Sequence, residues 1–304
     1  MSNVNAQKFV AIVNPAAGGG KCGRRAEAEL DRLRAVGMQV ESRLTSKPGD
    51  GTVLVREAYA EGVRNFIAVG GDGTGFEVLN GLFPEALEAS SRVSLGFLPL
   101  GTGNSFLRDF TDQGADYAMQ SMIEGKHRKC DVIQLTHRDG VLHFINLMSM
   151  GFVAEVGALT NQRFKRLGQF GYVLGVVSKV ARLKASSFPM RADNGDTDDE
   201  AVTFVSINNS RFTGGKMMMA PQADTGDGHA DLIRVGEMGR FSLLRTFPKI
   251  FKGTHVDHPV ASQSRVRSID FDIPAEVDVM IDGEVLRLLP RRLQVLPGVL
   301  DVRV

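Results

Sequence analysis

Short apolar runs alternate with segments of helical periodicity in the first third of the chain. The strand-like runs are Lys8–Val13, Gln39–Leu44 and Phe66–Val69. The helical patterns that follow them are Gly23–Val36, Gly51–Ala60 and Gly75–Phe83. Strands that alternate with single helices are joined in parallel through crossovers. This part therefore predicts an open α/β sheet whose ligands bind at the carboxyl ends of the strands.

Beyond Asp131 the pattern changes to strand-like runs separated by turn residues. These runs are His143–Leu147, Ala201–Asn208, Ala230–Val235, Arg267–Ile273 and Val277–Ile281. Apolar residues at helical spacing predict one amphipathic helix over Phe164–Lys184, and the acidic segment Asp193–Glu200 predicts an exposed loop. We predict two domains, an α/β domain over residues 1–132 and a β-rich domain over residues 133–304, whose last strand can return to the first domain.

Composition limits the functions that this pattern allows. The 304 residues include 36 basic and 35 acidic side chains, so a formal charge of +1 gives no basis for non-specific nucleic-acid binding. Two cysteines, Cys22 and Cys130, are too few for a disulfide scaffold and indicate thiols in a reducing compartment. No apolar run approaches the roughly 20 residues of a membrane span. We expect a cytoplasmic protein with at most peripheral membrane contact.

Glycine-rich turns follow three of the strand-like runs. These turns are Asn14–Lys21, Gly70–Thr74 and, after the run Val93–Leu100, Gly101–Asn104. Glycine can take positive φ, approach phosphate closely and point successive N–H groups at it, while Asp72 can face a metal-bound nucleotide. A hairpin is the alternative for an Asp-Gly turn, but a helical pattern follows Gly70–Thr74. The first turn is not a P-loop, because Cys22 follows Lys21. Together the turns favour a kinase.

These motifs, in this order, resemble the diacylglycerol kinase catalytic domain family, which includes sphingosine and ceramide kinases. Further segments that carry the resemblance are Phe144–Asn146, Gly151–Phe152, Asp224–Gly228, Gly253–His255 and Asp282–Glu284. The resemblance covers almost the whole chain. It implies an N-terminal α/β domain with a mostly parallel sheet, a C-terminal β-sandwich and an active site in the interdomain cleft. It also implies a magnesium-dependent kinase that moves the γ-phosphoryl group of ATP to the hydroxyl of diacylglycerol or a sphingoid-like alcohol.

The resemblance also implies roles for single residues. The nucleotide contacts would be Asn14, Thr45, Gly71, Asp72, Gly73, Thr74, Glu77, Thr102 and Asn104. Glu77 is equally well explained as an acid favoured by the dipole at a helix start, and Thr45 as a surface threonine at a strand end. Glu284 would be the base that accepts the proton of the lipid hydroxyl, with Asp282 as its partner and Asp72 as an alternative base. Without the resemblance, Asp282–Glu284 predicts only a surface β-turn.

Two magnesium sites are implied by the same resemblance. Their ligands would be Asp72 and Asp131 in the first, and Asp224, Asp227 and the carbonyl of His229 in the second. Ordinary turn chemistry explains the second acidic cluster equally well, and Lys216 can neutralise it instead. Ser105 occupies a position where many bacterial members have Asp. Sphingosine and ceramide kinases also lack that Asp, so Ser105 indicates a different subclass rather than an inactive protein.

Two other functions remain open at this level. Ser105 makes a non-enzymatic, nucleotide-regulated lipid-binding protein conceivable, and the Gly-Gly-Asp-Gly turn also suits a kinase of NAD or of a soluble metabolite. The presence of Asp282 and Glu284 favours the enzyme. Its expected partners are ATP and a lipid at a membrane surface, without nucleic acid. The oligomeric state is open, a homodimer included. The basic side chains of the helix predicted over Phe164–Lys184 suit anionic lipid, although packing on the β-rich domain is the simpler interpretation.

Overall fold

The structure, a computed structural model, describes residues 7–88, 92–159, 180 and 183–304. The chain forms two compact units. Unit 1 comprises Met1–Cys130 and Gly298–Val304, and unit 2 comprises Asp131–Pro297. Each unit has a hydrophobic core of its own.

Unit 1 shows the predicted alternation of strands and helices. Its strands are β1 (Lys8–Val13), β2 (Gln39–Leu44), β3 (Asn65–Gly70) and β4 (Val93–Pro99). Its helices are α1 (Lys21–Ala35), α2 (Asp50–Ala60), α3 (Asp72–Leu82), α4 (Glu85–Glu88), α5 (Ala115–Glu124) and a 3₁₀ helix, Phe106–Asp109. In α1 the residues Cys22, Ala26, Leu30 and Leu33 recur at helical spacing and are buried. The periodicity seen in the sequence is therefore the face that packs on the sheet.

The sheet of unit 1 is parallel throughout. Its order is β2, β1, β3 and β4, followed by residues Leu300–Arg303, which pair in parallel with β4. β2 and β3 lie on opposite sides of β1. From β1 the chain goes first to β2 on one side and then crosses back to β3 on the other, so the strand order reverses at β1. The loops after β1 and β3 consequently flank a topological switch point, which is where open α/β sheets bind their ligands.

Unit 2 is mostly β-structure, as predicted, and its strands pair antiparallel. The remaining strands of the chain are β5 (Arg128–His137), β6 (Gly140–Phe144), β7 (Leu147–Gly151), β8 (Ser186–Ser187), β9 (Met190–Ala192), β10 (Thr197–Asp198), β11 (Ala201–Asn208), β12 (Phe212–Thr213), β13 (Met217–Met218), β14 (Ala230–Gly236), β15 (Ala261–Val266), β16 (Ser268–Phe271), β17 (Val277–Ile281), β18 (Glu284–Leu288) and β19 (Pro290–Arg303). Among the described residues of this part of the chain, the helices with defined bounds are α6 (Phe152–Leu159), α7 (Arg240–Thr246) and the 3₁₀ helices Phe247–Lys252 and Thr254–Asp257.

The main sheet of unit 2 has the order β15, β14, β11, β7, β17 and β18, with β8 paired to β11. A second antiparallel set joins β10, β9, β16 and the first part of β19, and β5 pairs with β6. Met217 and Met219 are 2% and 1% exposed, so the side chains at both ends of the run Met217–Met219 are buried in unit 2. Both cysteines are buried, and neither forms a disulfide.

Two local predictions in this half were wrong. The predicted strand His143–Leu147 is interrupted, because the N–H groups of residues 145–147 turn toward the carboxylate of Asp282. The segment Asp193–Glu200 is not only a loop, since it contains β10, which pairs with β9. The helix predicted over Phe164–Lys184 lies almost wholly outside the described residues. Among the helices that are described, none has the length and hydrophobicity that crossing a membrane requires.

His255, in the 3₁₀ helix Thr254–Asp257, makes the stability of unit 2 depend on pH. Its side chain is 5% exposed, and this burial lowers the pKa of the imidazole from 6.5 to about 4. Between these two values the unfolded chain binds a proton that the folded chain does not. The free energy of unfolding therefore falls as the pH falls from 6.5 to 4, and this contribution is fully present above pH 6.5.

We expect His255 to account for a loss of about 3 kcal/mol in the free energy of unfolding between neutral pH and pH 4. Urea unfolding of the wild type and of His255→Gln across this range measures the contribution. The two pH profiles should diverge, with the variant losing less stability on acidification. Parallel profiles would contradict the assignment.

Candidate functional site

Three glycine loops of unit 1 meet at the carboxyl edge of its sheet. The loops after β3 and β4 are joined by backbone hydrogen bonds. Gly101 donates its N–H to the carbonyl of Gly70 at 2.7 Å, and Asp72 donates its N–H to the carbonyl of Gly103 at 3.0 Å. The two predicted phosphate turns therefore form one continuous surface.

The glycines of these two loops are required by close approach. A Cβ on Gly101 would lie 2.6 Å from the backbone nitrogen of Gly71, and a Cβ on Gly71 would lie 2.7 Å from the carbonyl oxygen of Gly103. None of these glycines takes positive φ, so the freedom of glycine to do so is not what these two loops use. Positive φ instead occurs in the loop after β1, where residues 18–20 have φ of 61°, 66° and 83°. Close approach therefore excludes side chains from the loops after β3 and β4, and positive φ disfavours them in the loop after β1.

The loop after β1 is fixed at both of its sides. Asn14 donates its N–H to the carbonyl of Val69 at 3.0 Å, and its side-chain oxygen accepts the N–H of Ala16 at 3.1 Å. A Cβ on Gly18 would lie 2.8 Å from the carbonyl oxygen of Leu100. This loop thus contacts the ends of both β3 and β4, and it leads directly into α1, whose first N–H groups favour an anion.

Asp72 is the first residue of α3, and its carboxylate faces Ser105. Both carboxylate oxygens accept the N–H of Ser105, at 2.9 and 3.0 Å, and the Ser105 hydroxyl and the N–H of Phe106 also contribute hydrogen bonds. Burial raises the pKa of Asp72, and these hydrogen bonds oppose the rise. A carboxylate at position 105 would repel Asp72, whereas serine donates to it. A cavity of about 10 Å³, enough for one water molecule, adjoins Asp72 and Asn104.

Thr74 lies in the first turn of α3 and is 4% exposed. Its hydroxyl has no hydrogen-bond partner among the described residues. A buried hydroxyl without a partner costs free energy, so an unpaired one beside three glycine loops is the feature expected of a ligand contact. Contact between Thr74 and a nucleotide stays a prediction, with which this unpaired hydroxyl agrees.

The other predicted nucleotide contacts of unit 1 surround the same loops. Asn104 donates its side-chain amide to the carbonyl of Gly101 at 3.0 Å and so shapes the loop after β4. Thr102 is exposed at the tip of that loop, and Gly73 lies in the first turn of α3. Thr45 follows β2 and is 8% exposed. It donates its N–H to the carbonyl of Val13 at 2.9 Å. Whether these residues bind nucleotide stays a prediction.

Glu77 is engaged in holding another helix. One of its carboxylate oxygens accepts the N–H of Gly49 at 2.9 Å, and the other accepts the N–H of Gly51 at 2.8 Å. The hydroxyl of Thr52 also donates to the Glu77 carbonyl at 2.9 Å. Glu77 therefore caps the start of α2 from α3, where a negative charge is favoured by the helix dipole. The role is structural, but it differs from the expected one, because Glu77 lies beyond the first turn of its own helix and caps the start of α2 instead.

In unit 2, Asp282 is a buried anchor rather than part of a surface turn. Asp282 and Gly283 form the two-residue connection between β17 and β18, with φ of 46° and 92°. Both values are those of the primed turns that Asp-Gly favours in hairpins. Asp282 is nevertheless 3% exposed, so the expectation of a surface turn is wrong for its side chain.

The Asp282 carboxylate accepts hydrogen bonds from three successive backbone groups. Its donors are the N–H groups of Ile145 at 3.2 Å, Asn146 at 3.0 Å and Leu147 at 3.0 Å. With these bonds made, the carboxylate fixes the hairpin against the connection between β6 and β7. Asp282 is accordingly suited to position its neighbour Glu284.

Glu284 is the first residue of β18 and is partly exposed. Its carboxylate makes no hydrogen bond or ion pair with any described residue. A carboxylate with uncommitted oxygens, carried on a rigid hairpin, can accept a proton from a substrate hydroxyl. The structure thus distinguishes two acids of one turn, an anchored Asp282 and an available Glu284.

A buried polar cluster that the sequence did not indicate lies beside this hairpin. Asn209, fully buried, donates its side-chain amide to the carbonyls of Asp131 at 3.1 Å and Ile145 at 2.9 Å, while its own side-chain oxygen has no partner among the described residues. Ser210 donates its hydroxyl to the side chain of Asn146. The signal in the sequence was the polar triplet Asn209–Arg211, which directly follows the apolar strand β11. The sequence alone gave this triplet no role.

Asp131 is buried within unit 2 and already bonded. It is 1% exposed, its carboxylate accepts the N–H of Gly228 at 2.6 Å, and its own N–H donates to the carbonyl of Thr225 at 2.7 Å. Across the described part of the chain, no cluster of three or more His, Cys, Asp or Glu side chains could hold a metal ion. The pairing of Asp72 with Asp131 as magnesium ligands stays a prediction, since one or two carboxylates can complete a magnesium ion that is bound to phosphates and water.

The second predicted metal cluster is held by other interactions. Asp224 accepts the N–H of Gly226 at 3.1 Å, as in an ordinary Asx turn. Asp227 accepts the N–H of His229 at 2.9 Å and forms an ion pair with Arg265. The partner of Asp227 is therefore Arg265 rather than Lys216. These contacts agree with the turn alternative, and the second metal site stays a prediction.

Comparison with known proteins gives matches along nearly the whole chain. The sequence profile of the diacylglycerol kinase catalytic domain matches residues 8–135, and that of the YegS C-terminal NAD kinase beta sandwich-like domain matches residues 146–304. A diacylglycerol kinase of Mycobacterium tuberculosis (strain ATCC 25618 / H37Rv) is 28% identical over 303 residues, which cover 97% of this chain and 94% of that protein. One from Staphylococcus aureus (strain MRSA252) is 29% identical over 294 residues, covering 96% and 90%.

Among solved structures, a candidate diacylglycerol kinase from Bacillus anthracis str. Sterne has a similar fold. Its crystal structure is 26% identical in sequence and gives a TM-score of 0.81 over 98% of this chain and 95% of that one. The likeness therefore extends through both units rather than through the glycine loops alone.

Proposed function

The chain belongs to the diacylglycerol kinase catalytic domain family of lipid kinases, and from this premise we propose that it transfers the γ-phosphoryl group of Mg²⁺-bound ATP to the hydroxyl of diacylglycerol or a sphingoid-like alcohol. The observation that carries the proposal is the junction of three glycine loops at the carboxyl edge of the sheet of unit 1, with the buried, unpaired hydroxyl of Thr74 beside it. A phosphate oxygen would satisfy that hydroxyl.

The proposed roles follow from the difference between the anchored Asp282 and the available Glu284. The loop N–H groups and the start of α1 and α3 would hold the phosphates, since phosphoryl transfer depends mainly on alignment and on neutralising charge. Glu284 would accept the proton of the lipid hydroxyl. Asp282, whose oxygens already accept three N–H groups, would position Glu284 instead of taking the proton itself.

Magnesium, in this proposal, arrives with the nucleotide. The described residues form no protein cage for it, but magnesium commonly binds substrate phosphates, water and only one or two carboxylates. Asp72 is the carboxylate of the glycine loops that could complete such a set. When bound, the ion would supply charge neutralisation at the phosphates.

The proposal is tested by incubating the purified protein with labelled ATP, magnesium and micelles that contain diacylglycerol, sphingosine or ceramide. Labelled lipid is the expected product. The proposal would be overturned if ADP formed at the same rate with and without added lipid. Labelling of NAD or a soluble metabolite in parallel reactions would also overturn it. Nucleotide binding without any turnover would favour the non-enzymatic lipid-binding alternative.

Replacing Thr74 with Val should separate binding from stability. If the hydroxyl contacts phosphate, its loss removes a hydrogen bond to a charged group, and we expect the KM for ATP to rise about tenfold or more. The free energy of unfolding should stay the same or increase, because an unpaired buried hydroxyl is replaced by a methyl group of similar shape. Steady-state kinetics and urea unfolding measure the two effects. Thr74→Ser, which keeps the hydroxyl, is the matched control, and a Val variant with unchanged KM would remove Thr74 from the site.

A further inference from the structure

One face of unit 2 carries exposed apolar side chains between cations. It is formed by α7 and the 3₁₀ helix that follows it, Phe247–Lys252. Its exposed members, here called the α7 stripe, are Arg240, Phe241, Leu244, Arg245, Pro248, Lys249, Phe251 and Lys252. Phe241 is 91% exposed, and Leu244 and Phe251 are about half as exposed, at 42% and 40%. An aromatic side chain so fully in water has no role in the packing of the unit.

The opposite face of the same segment is anchored in the core of unit 2. Leu243 and Ile250 are 6% and 7% exposed and belong to the core cluster of that unit. Phe247 packs on this cluster and contacts the ring of Phe251 edge to face, with centroids 6.1 Å apart. Buried and exposed positions thus alternate with helical spacing. The stripe is consequently presented on a fixed support.

The charge of the stripe differs from that of the chain. Its four cations occur in a stretch from Met238 to Val256 that contains no acidic residue, and none of them forms an ion pair with a described residue. The whole chain carries a formal charge of only +1, so the remaining residues have more acids than bases. The positive charge is therefore concentrated where the aromatic and aliphatic side chains are exposed.

We propose that the α7 stripe docks the protein on the surface of an anionic lipid bilayer. This inference rests on the proposed function, because the substrate of a lipid kinase resides in a bilayer. Phe241, Leu244 and Phe251 would enter the boundary between headgroups and acyl chains, while the cations meet anionic headgroups. A second copy of the chain is a less suitable partner. In a symmetric dimer through the stripe, the four unpaired cations of one copy would face and repel those of the other.

Vesicle sedimentation without ATP tests the docking directly. Full-length protein is mixed with phosphatidylcholine vesicles that contain or lack phosphatidylglycerol. We expect tighter binding to the anionic vesicles, weakened by added salt. The double variant Arg245→Gln/Lys249→Gln should bind anionic vesicles about 30-fold more weakly, since each basic residue near the surface contributes about 1 kcal/mol. Phe241→Ser should weaken binding about tenfold through lost apolar contact.

Matched controls lie elsewhere on the surface. Arg291→Gln removes an exposed, unpaired cation, and Val53→Ser removes a side chain that is 53% exposed on α2. Neither should change vesicle binding. Wild-type binding by the stripe variants, or equal losses in the controls, would overturn the proposal. A dimer that depends on Phe241 in sedimentation equilibrium, without vesicle binding, would assign the stripe to a second copy.

Activity measurements separate this inference from the proposed function. On a short-chain diacylglycerol in detergent micelles, Phe241→Ser should turn over like the wild type, and on anionic vesicles it should be slower. Equal activity of the variant and the wild type on vesicles would count against docking. If the wild type phosphorylates no lipid in either system, the proposed function fails, while the sedimentation result still decides whether the stripe binds membranes.

Discussion

Replacement of Glu284 with Gln is expected to lower kcat by about 10²- to 10⁴-fold, the range that a general base contributes. The substitution keeps the size and hydrogen-bonding shape of the side chain but removes its ability to accept the proton of the substrate hydroxyl. Glu284 makes no hydrogen bond with the described residues, so its loss should leave the fold unchanged. The KM for ATP should also stay the same, since the nucleotide contacts are predicted on other residues.

Steady-state kinetics at saturating lipid, together with an unfolding curve, measure this effect. Glu237→Gln is the matched control, because Glu237 is an exposed glutamate of unit 2 without an ion pair among the described residues. A Glu284→Gln enzyme with kcat close to that of the wild type would exclude this base and leave Asp72 as the candidate. A large rise in the KM for ATP with kcat unchanged would instead indicate a binding role.

Replacement of Asp282 with Ala is expected to lower the free energy of unfolding of unit 2 by about 4 kcal/mol or more. The carboxylate is 3% exposed and accepts three backbone N–H groups, which would be left buried without a partner. Each hydrogen bond to a charged group contributes roughly 1.5–3 kcal/mol, with incomplete additivity. Position 282 also has φ of 46°, which costs Ala about a further 1 kcal/mol.

Two variants isolate the origin of that loss. Asp282→Asn keeps the size of the side chain and the tolerance of positive φ, but its amide nitrogen cannot accept an N–H, so we expect roughly half the effect of Ala. Asp278→Ala, at a surface ion pair of β17, should change stability by less than about 1 kcal/mol. Urea unfolding resolves these values. A loss below about 1 kcal/mol for Asp282→Ala would show that the three hydrogen bonds are not essential to the hairpin.

The sequence allowed the element order of unit 1 to be predicted closely. The bounds of β1 and β2 agree with the runs read from the pattern, and the bounds of α2 differ by one residue. These elements are specified locally, because a buried strand needs a short apolar run and a surface helix needs one apolar face. The glycine loops were found for the same reason, since each interrupts a strong pattern at the end of a strand.

Contacts between distant residues were not predictable in this way. The end of the predicted strand at Phe144 depends on Asp282, which lies far along the chain, and the assignment of Glu77 as a helix cap depends on Gly49 and Gly51. Asp227 likewise pairs with Arg265, which the sequence did not suggest, and not with Lys216, which was one of the alternatives. The local pattern of apolar and polar residues carries no information about partners that are distant in the sequence.

The sequence by itself determined the α/β and β-rich halves, the three glycine loops, and the acids from which a base could be chosen. Only the tertiary structure decided why the glycines are needed, which acid of the Asp282–Glu284 turn remains available, and where exposed apolar side chains meet unpaired cations. The physical reason is the range of the interactions. Strand and helix formation follows from hydrophobic spacing within about ten residues, whereas burial and hydrogen-bond partners depend on groups that the fold brings together from remote positions.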